Sequence, residues 1–255
     1  MRFFRPDGIK IKTSSQIEAM KEAGHLSAQV LREVGTRISP GVSTLELDEF
    51  AEEYIRAAGG VPAFKGYGGF PGTICASVNE MVVHGIPSKD VVLKEGDIVS
   101  IDTGATVNRW VGDNAATFAV GNISKDAQRL LDVTEAAMWA GIEQAVPGNH
   151  LGDIGHAVQA VAESAGFGVV REYTGHGIGR KMHEPPSVYN YGQPGWGTLL
   201  EEGMVIAIEP MVTMGTFQVR TLEDGWGVVT RDGKPSAHFE RTVAISADGP
   251  VVLTQ

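Results

Sequence analysis

The sequence predicts an α/β protein built from a unit of two helices followed by strands, and this unit occurs twice. Amphipathic helical patterns come in pairs, and a Pro-Gly dipeptide separates the two helices of each pair, at Pro40-Gly41 and at Pro147-Gly148. Apolar runs typical of strands follow each pair and end in a carboxylate, at Asp102 and at Glu209. Both features recur at a spacing of 107 residues (40 to 147, 102 to 209), which indicates an internal two-fold repeat.

The first half begins with a short strand and two helices. The run Ile9 to Lys12 alternates apolar and polar residues, which predicts a strand. Ser15-Gln-Ile-Glu18 has the spacing of a capping box, so we expect a helix to open there and to end near Ile38. A second helix should begin at Ser43 or Thr44, both good N-cap residue types, and run to a Gly-Gly pair.

The second half repeats this order of elements. The run Ser124 to Val146 has the pattern of an amphipathic helix, and another helix follows Pro147-Gly148 and ends at Gly166. We therefore expect a single domain over 1–255 made of two pseudo-symmetric halves, about 14–120 and 121–255.

The stretch 96–113 gives the first indication of chemistry. The apolar run Ile98–Ile101 predicts a strand, and it leads into Asp102, a residue type that strands disfavour. If the chain folds back around Val107-Asn108, Asp102 pairs directly across from Asp113. Two carboxylates roughly 4.5 to 5.5 Å apart at Cβ repel each other unless a positive charge lies between them. A metal ion would supply that charge.

Histidines and further carboxylates occur in both halves. The tripeptide His-Gly-Ile begins at His84 and again at His176. Four carboxylates and one imidazole that converge would repel one another, yet they form a balanced set for two divalent ions. Ligation rich in oxygen with a single histidine favours Mn, Fe(II), Co or Zn over a thiolate type of zinc site. The candidate ligands are Asp102, Asp113, His176, Glu209 and Glu240.

Composition excludes several classes of protein. A chain of 255 residues with 42% hydrophobic and 20% charged residues is typical of a globular protein. No apolar run approaches the ~20 residues that span a bilayer, and we expect the first eight residues not to form a secretory signal. The one cysteine, Cys75, fits a reducing compartment. A net charge of −10 argues against nucleic acid as the main partner.

The same residues resemble a known family. Its motifs are matched, in order, by His84-Gly-Ile-Pro, Gly-Asp-Ile-Val-Ser-Ile-Asp102-Thr-Gly, Gly-Asp113, Thr-Gly-His176-Gly-Ile-Gly, His183-Glu-Pro-Pro, Ile-Glu209-Pro and Phe-Glu240-Arg-Thr. The chain closely resembles methionine aminopeptidase, type I, from about Ile11 to the C-terminus. It fits the short bacterial-like form, because the zinc-binding extension of the eukaryotic type I enzymes would need several cysteines.

The resemblance implies the pita-bread fold, a pseudo-two-fold antiparallel sheet backed by helices, with two metal ions at its centre. It implies that Asp102, Asp113 and Glu240 hold one ion and that Asp113, His176, Glu209 and Glu240 hold the other. The ions would polarise the scissile carbonyl and activate a bridging water as hydroxide, with Glu209 as proton acceptor.

The resemblance also implies further site residues. His84 and His183 are implied catalytic residues that contact the peptide, stabilise the tetrahedral intermediate and assist the leaving amine. The implied pocket for the methionine side chain is formed, beside these two histidines, by Tyr67, Phe70, Cys75, Met182 and Trp226. A thioether suits such apolar and sulfur-containing surroundings. A monovalent cation site is implied at Asn79, Met81 and Ser236.

The implied activity is removal of the N-terminal methionine from nascent proteins and peptides with a small second residue. The implied setting is cytoplasmic: a monomer that meets nascent N-termini at the ribosome and binds neither a membrane nor specific nucleic acid sequences. Two alternatives are weighed against this. A proline-specific dipeptidase or aminopeptidase P would carry an additional N-terminal domain, for which we expect no room here. A non-catalytic binding protein of the same fold would have lost some of the five ligands, and all five are present.

Overall fold

The computed structural model describes residues 8–255. The segment 1–7, which bears on the predicted absence of a secretory signal, lies outside this range. The described chain forms the helices α1 (Ser14–Gly35), α2 (Thr44–Ala57), α3 (Lys125–Glu143) and α4 (Leu151–Ser164). Its strands are β1 (Val61–Pro62), β2 (Ile74–Val78), β3 (Met81–Val83), β4 (Ile98–Val107), β5 (Trp110–Ala119), β6 (Gly168–Val169), β7 (Gly175–Gly177), β8 (Glu184–Val188), β9 (Val205–Ile208), β10 (Met211–Thr213), β11 (Val219–Thr221), β12 (Val228–Thr230), β13 (Ser236–His238), β14 (Arg241–Ser246) and β15 (Gly249–Val252).

The two helix pairs form as predicted, with small differences at their ends. Helix α1 has Thr13 as its N-cap, because the Thr13 hydroxyl accepts from the Gln16 backbone N–H and the Gln16 side chain accepts from the Thr13 N–H. The predicted capping box at Ser15 is therefore wrong by two residues, and the helix ends at Gly35 rather than near Ile38. Ser43 caps α2, one of the two predicted positions.

The segment 9–12 is not a strand, contrary to the prediction. The Lys12 backbone N–H donates to the Gly203 carbonyl oxygen at 2.8 Å, but no ladder of such bonds forms along 9–12 among the described residues. The alternation of apolar and polar residues does not follow burial either, because Ile9 and Lys12 are buried while Lys10 and Ile11 are exposed.

The hairpin of β4 and β5 forms, but its register differs from the predicted one. Its turn residues are Asn108 and Arg109, both with positive φ (50° and 67°), as a two-residue hairpin turn requires. The turn lies one residue later than predicted, so Asp102 pairs with Ala115, and Asp113 pairs with Gly104. The direct pairing of Asp102 with Asp113 is therefore wrong. The two are diagonal neighbours, and the period of two along a strand still places them on the same face.

Two larger antiparallel sheets meet at the centre of the molecule, as predicted for an antiparallel architecture backed by helices. One contains β1, β4, β2 and β5, and the other has the order β15-β14-β9-β7-β8. Helix α1 packs on β4 and β5, whereas α3 packs on α4 and on several strands that follow it in the chain. The core between these layers includes Leu47, Ile101, Leu130, Ile154 and Ile206. The division into two pseudo-symmetric halves stays a prediction.

No helix within residues 8–255 has both the length and the apolar character needed to cross a membrane.

Candidate active site

A cavity of about 230 Å³ lies where the two larger sheets meet. All five predicted metal ligands line it, together with the two predicted catalytic histidines and the five other predicted pocket residues. The remaining lining residues are Phe64, Val83, Tyr173, Thr174 and Met211.

The predicted ligands come from five separate chain segments. Asp102 lies within β4 and Asp113 within β5, while His176 lies within β7. Glu209 directly follows β9, and Glu240 lies between β13 and β14. One ligand atom each from Asp113, His176 and Glu240 lies within 4.8 Å of the other two, a spacing that one metal ion can bridge.

Hydrogen bonds of the backbone and of the Thr242 side chain join the two sheets and hold Asp113 near Glu240. The Glu240 N–H donates to the Ala115 carbonyl oxygen on β5 at 2.9 Å. The Thr242 hydroxyl donates to the Asp113 carbonyl oxygen at 2.8 Å and accepts from the Asp113 N–H at 3.2 Å. Because these three bonds join β5 to β14 and to the residue just before it, the two carboxylates lie together even though 127 residues separate them in the sequence (113 to 240).

His176 has the geometry of a metal ligand. Its Nδ1 lies 3.0 Å from the Gly177 carbonyl oxygen, and a neutral ring with its proton on Nδ1 donates to that oxygen. Its Nε2 then carries a lone pair, which lies 3.4 Å from Glu209 Oε1 and 3.6 Å from Asp113 Oδ2. Burial lowers the pKa of His176 to about 4, so the ring is neutral near pH 7. A lone pair close to two carboxylates is an arrangement that could hold a metal ion.

The carboxylates lack the partners that buried charges need. Among residues 8–255, no hydrogen-bond donor reaches Asp102 Oδ1, Asp113 Oδ1 or Glu240 Oε1. Burial raises the pKa of Asp113 to about 8. Burial also raises the pKa of Asp102 well above its usual range, and the negative charge of Asp113 raises it further. The pKa values of Glu209 and Glu240 are raised well above normal for the same reasons. These groups are satisfied either by protons or by metal ions.

His84 has an unusual backbone conformation at the edge of the cavity. Its φ is 60°, in the left-handed region that non-glycine residues rarely adopt. The next residue must be glycine, because a Cβ on Gly85 would collide with the Ala76 carbonyl oxygen. The Gly85 N–H donates to the Ser77 hydroxyl and its carbonyl accepts from the Ala76 N–H, so the turn is fixed on both sides. This explains in physical terms why glycine follows His84.

A buried ion pair holds the turn that carries Met182 and His183. Glu184 Oε2 accepts from the Lys12 ammonium at 3.1 Å, and both side chains are almost fully buried. Glu184 Oε1 accepts from Lys10 and from the backbone N–H groups of Arg180 and Lys181. The residue next to His183 is therefore fixed by charge as well as by the backbone.

The other side of the cavity is apolar. Phe70, Cys75 and Met182 are buried, and the Phe70 ring packs edge-on against Trp226 with centroids 5.1 Å apart. Asp224 holds the Trp226 turn, because its Oδ1 accepts from the backbone N–H of Trp226. Burial raises the pKa of the Cys75 thiol well above its usual value, so the thiol stays protonated and adds no charge to this wall. The cavity thus has one carboxylate-lined wall and one apolar wall.

The residues of the predicted monovalent cation site lie near one another but outside this cavity. The Asn79 carbonyl oxygen accepts from the Ser236 N–H at 2.9 Å, and Met81 lies two residues further along the chain. This cation site stays a prediction.

His238 belongs to the site but was not predicted from the sequence. It is buried, and its Nε2 lies 3.7 Å from Glu209 Oε2, so Glu209 lies between His176 and His238. Burial lowers the pKa of His238 to about 3. The period of two along an extended chain was the available signal, because His238 precedes Glu240 by two residues and therefore shares its side of the backbone.

Comparisons with known proteins identify the family. The model of metallopeptidase family M24 matches residues 18–247. The chain is 52% identical over 246 residues to methionine aminopeptidase of Clostridium acetobutylicum, a match that covers 96% of this chain and 98% of that relative. It is 51% identical over 244 residues to methionine aminopeptidase 1 of Bacillus subtilis, again with 96% and 98% covered.

A solved structure agrees equally well. The crystal structure of methionine aminopeptidase from Rickettsia prowazekii superposes with a TM-score of 0.95 at 43% identity, covering 97% of this chain and 100% of that one. The resemblance seen in the sequence and the predicted fold are thereby confirmed. The chain belongs to the methionine aminopeptidases of metallopeptidase family M24, which are hydrolases with the pita-bread fold.

Proposed function

We propose that this chain removes the N-terminal methionine from nascent proteins and peptides whose second residue is small. The observation that carries this proposal is one cavity with a carboxylate-lined wall and an apolar wall. Such a cavity can hold a metal-bound amino end and an apolar side chain at once. We further propose that the protein works as a cytoplasmic monomer on N-termini that emerge from the ribosome.

The metal proposal assigns two divalent ions, of Co, Mn, Fe(II) or Zn, to the five ligands. Asp102, Asp113 and Glu240 would hold one ion, and Asp113, His176, Glu209 and Glu240 the other. The unpartnered carboxylate oxygens and the free lone pair of His176 support this fit. Ions bound there would polarise the scissile carbonyl and would lower the pKa of a water, so that hydroxide would be available as the nucleophile near neutral pH.

The chain's own residues would then move protons and orient the peptide. Glu209 is the proposed acceptor of the water's proton, because its carboxyl group lines the cavity and burial raises its pKa well above the usual range, which makes it a stronger base. His84 and His183 are the proposed contacts of the peptide. Burial lowers the pKa of His84 below its usual value and that of His183 to about 4, so both are neutral at pH 7 and each offers one N–H.

If the two histidines contact the peptide and not the metal, their substitution should lower turnover without removing metal. Alanine at His84 or at His183 is expected to leave bound metal nearly intact and to lower kcat by roughly 10²-fold or more, the usual scale for a positioned acid, base or oxyanion donor. Metal content by atomic emission and kcat on Met-Ala-Ser provide the two measurements. If the His183→Ala protein instead binds fewer metal ions per molecule than the unmodified protein, His183 is a ligand.

Specificity follows from the apolar wall. A methionine side chain would contact Phe70, Cys75, Met182 and Trp226, and its thioether suits these surroundings. The second residue would then lie beside the two histidines, and we propose that only a small side chain fits there. We therefore propose cleavage ahead of Gly, Ala, Ser, Thr, Pro, Val or Cys.

Three peptides test the proposed function. Metal-loaded protein should cleave Met-Ala-Ser and should be slow on both Met-Leu-Ser and Lys-Ala-Ser, because the second residue clashes in one and the first is charged in the other. Norleucine in place of methionine should be accepted, since an apolar pocket discriminates between such similar side chains by only about 1 to 3 kcal/mol. Comparable rates on all three methionine and lysine peptides rule out the proposed selectivity.

A further inference from the structure

The side chain of Tyr67 contacts the catalytic candidate His183 directly. The Tyr67 hydroxyl oxygen lies 2.8 Å from His183 Nδ1, and the two ring centroids are 5.3 Å apart. The two residues are 116 positions apart in the sequence, so this bond forms only in the folded protein. We infer that Tyr67 is a positioning residue, whose hydroxyl donates to His183 Nδ1 and so holds the His183 ring in the tautomer with its proton on Nε2.

The direction of this hydrogen bond follows from the chemistry of the two groups. A phenol is a better hydrogen-bond donor than a neutral imidazole N–H, and an imidazole nitrogen is a far better acceptor than a phenol oxygen. The favoured arrangement is therefore O–H to Nδ1. Because a neutral imidazole has one proton, that proton must then lie on Nε2.

The backbone around Tyr67 fixes the hydroxyl in this place. Tyr67 begins a one-turn 3₁₀ helix, Tyr67–Gly69, in which its N–H donates to the Phe64 carbonyl oxygen at 2.8 Å. The Gly66 N–H donates to the Phe70 carbonyl oxygen, also at 2.8 Å, and closes the turn. Gly66, Gly68 and Gly69 all have positive φ, which only glycine adopts at little cost. Tyr67 is 45% exposed, so this turn presents it at the mouth of the cavity.

This bond gives His183 a definite function. With Nδ1 occupied, the free group of the ring is the Nε2 N–H, which can donate to the oxygen of the scissile carbonyl as its charge grows. The ring cannot then serve as a base through the same nitrogen. Tyr67 thus acts on the reaction through His183, in addition to lining the pocket. The inference rests on the proposed role of His183 in turnover.

A double-mutant cycle tests the inference. We expect Tyr67→Phe to lower kcat on Met-Ala-Ser roughly 3- to 10-fold, the scale of one neutral hydrogen bond, with KM and metal content unchanged. In the His183→Ala background the same change should have no further effect on kcat. Tyr54→Phe, which removes a hydroxyl on helix α2, is the matched control and should leave kcat unchanged.

The outcomes separate this inference from the function on which it rests. If His183→Ala leaves kcat unchanged, the proposed role of His183 fails and the inference fails with it. If His183→Ala lowers kcat but Tyr67→Phe has the same effect with and without His183, or acts on KM alone, only the inference is overturned. In that case Tyr67 merely lines the pocket.

A spectroscopic readout is independent of turnover. Long-range ¹H–¹⁵N spectra of protein loaded with Zn²⁺, which is diamagnetic, distinguish the two imidazole tautomers. The His183 signals are those missing from the His183→Ala spectrum. We expect the Nε2–H pattern in the unmodified protein and loss of that single pattern in Tyr67→Phe. An Nδ1–H pattern for His183 in the unmodified protein overturns the inference.

Discussion

Exchange of Asp102 for asparagine is expected to remove metal and activity together. The substitution keeps the shape of the side chain but takes one negative charge from a ligand set proposed for two cations. Loss of a residue that only hydrogen-bonds to a metal ligand already lowers metal affinity or activity by roughly 10- to 100-fold. Loss of a ligand itself should therefore lower both by more than roughly 10²-fold. Metal stoichiometry and kcat/KM on Met-Ala-Ser, measured on the same samples, check this.

The matched control is Asp90→Asn. Asp90 lies in an exposed turn, and its change to asparagine alters the net charge by the same amount. It should leave metal content and kcat/KM unchanged. Full activity with unchanged metal in Asp102→Asn contradicts the assignment of Asp102 as a ligand.

The metal-free protein is expected to lose stability as the pH rises from 7 to 8. The pKa of Asp113 is about 8 in the folded chain, and those of Asp102, Glu209 and Glu240 are also raised well above the values of about 4 found in unfolded chains. Over this interval the folded state therefore binds more protons than the unfolded state, and the free energy of unfolding falls with pH.

The choice of interval matters because the buried histidines act in the opposite direction. His176, His183 and His238 have folded pKa values of about 4, 4 and 3, below the value of about 6.5 in unfolded chains. Below pH 6.5 the unfolded state takes up protons on these residues, so they make stability rise with pH there. Between pH 7 and 8 these histidines are neutral in the folded chain and mostly neutral in the unfolded chain, so the raised carboxylate pKa values dominate. The Cys75 thiol, whose pKa burial also raises, acts in the same direction as the carboxylates.

Urea unfolding of chelator-treated protein at pH 7.0, 7.5 and 8.0 measures this effect. Added Mn²⁺ should raise the free energy of unfolding more at pH 8 than at pH 7, because the ion takes the place of protons that are already being lost. Asp102→Asn should reduce the dependence on pH. A free energy of unfolding that stays constant or rises over this interval contradicts the unpaired, buried state of the carboxylates.

Local patterns and spacing along the chain predicted the helix pairs, the hairpin and the five candidate ligands. The catalytic histidines and the other pocket residues came from the family resemblance, and the lining residues Phe64, Val83, Tyr173, Thr174 and Met211 were not predicted. The sequence placed the hairpin turn one residue too early, since Arg109 gives no local sign that it adopts a positive φ. It placed the first N-cap at Ser15 because Ser15 and Glu18 have the spacing of a capping box. Thr13 and Gln16 offer an equally good box two residues earlier, and that is the one that forms. Such choices between neighbouring residues are decided by tertiary packing.

Contacts between distant segments were beyond the sequence. Nothing local indicates that Lys12 pairs with Glu184, or that His238 lies beside Glu209. The bond between Tyr67 and His183 likewise depends on how a glycine-rich turn meets a segment 116 residues away. The sequence therefore indicated the participants in the site but not the side chains that hold them in place.

The central claim is that Asp102, Asp113, His176, Glu209 and Glu240 hold two divalent ions in the cavity. Anomalous diffraction from crystals loaded with Mn²⁺, recorded at the manganese absorption edge, tests it most directly. Two anomalous peaks are expected in the cavity, one in contact with Asp102, Asp113 and Glu240, and the other with Asp113, His176, Glu209 and Glu240. Peaks that lie only elsewhere, or a fully loaded crystal with no peak beside Asp113, would contradict it.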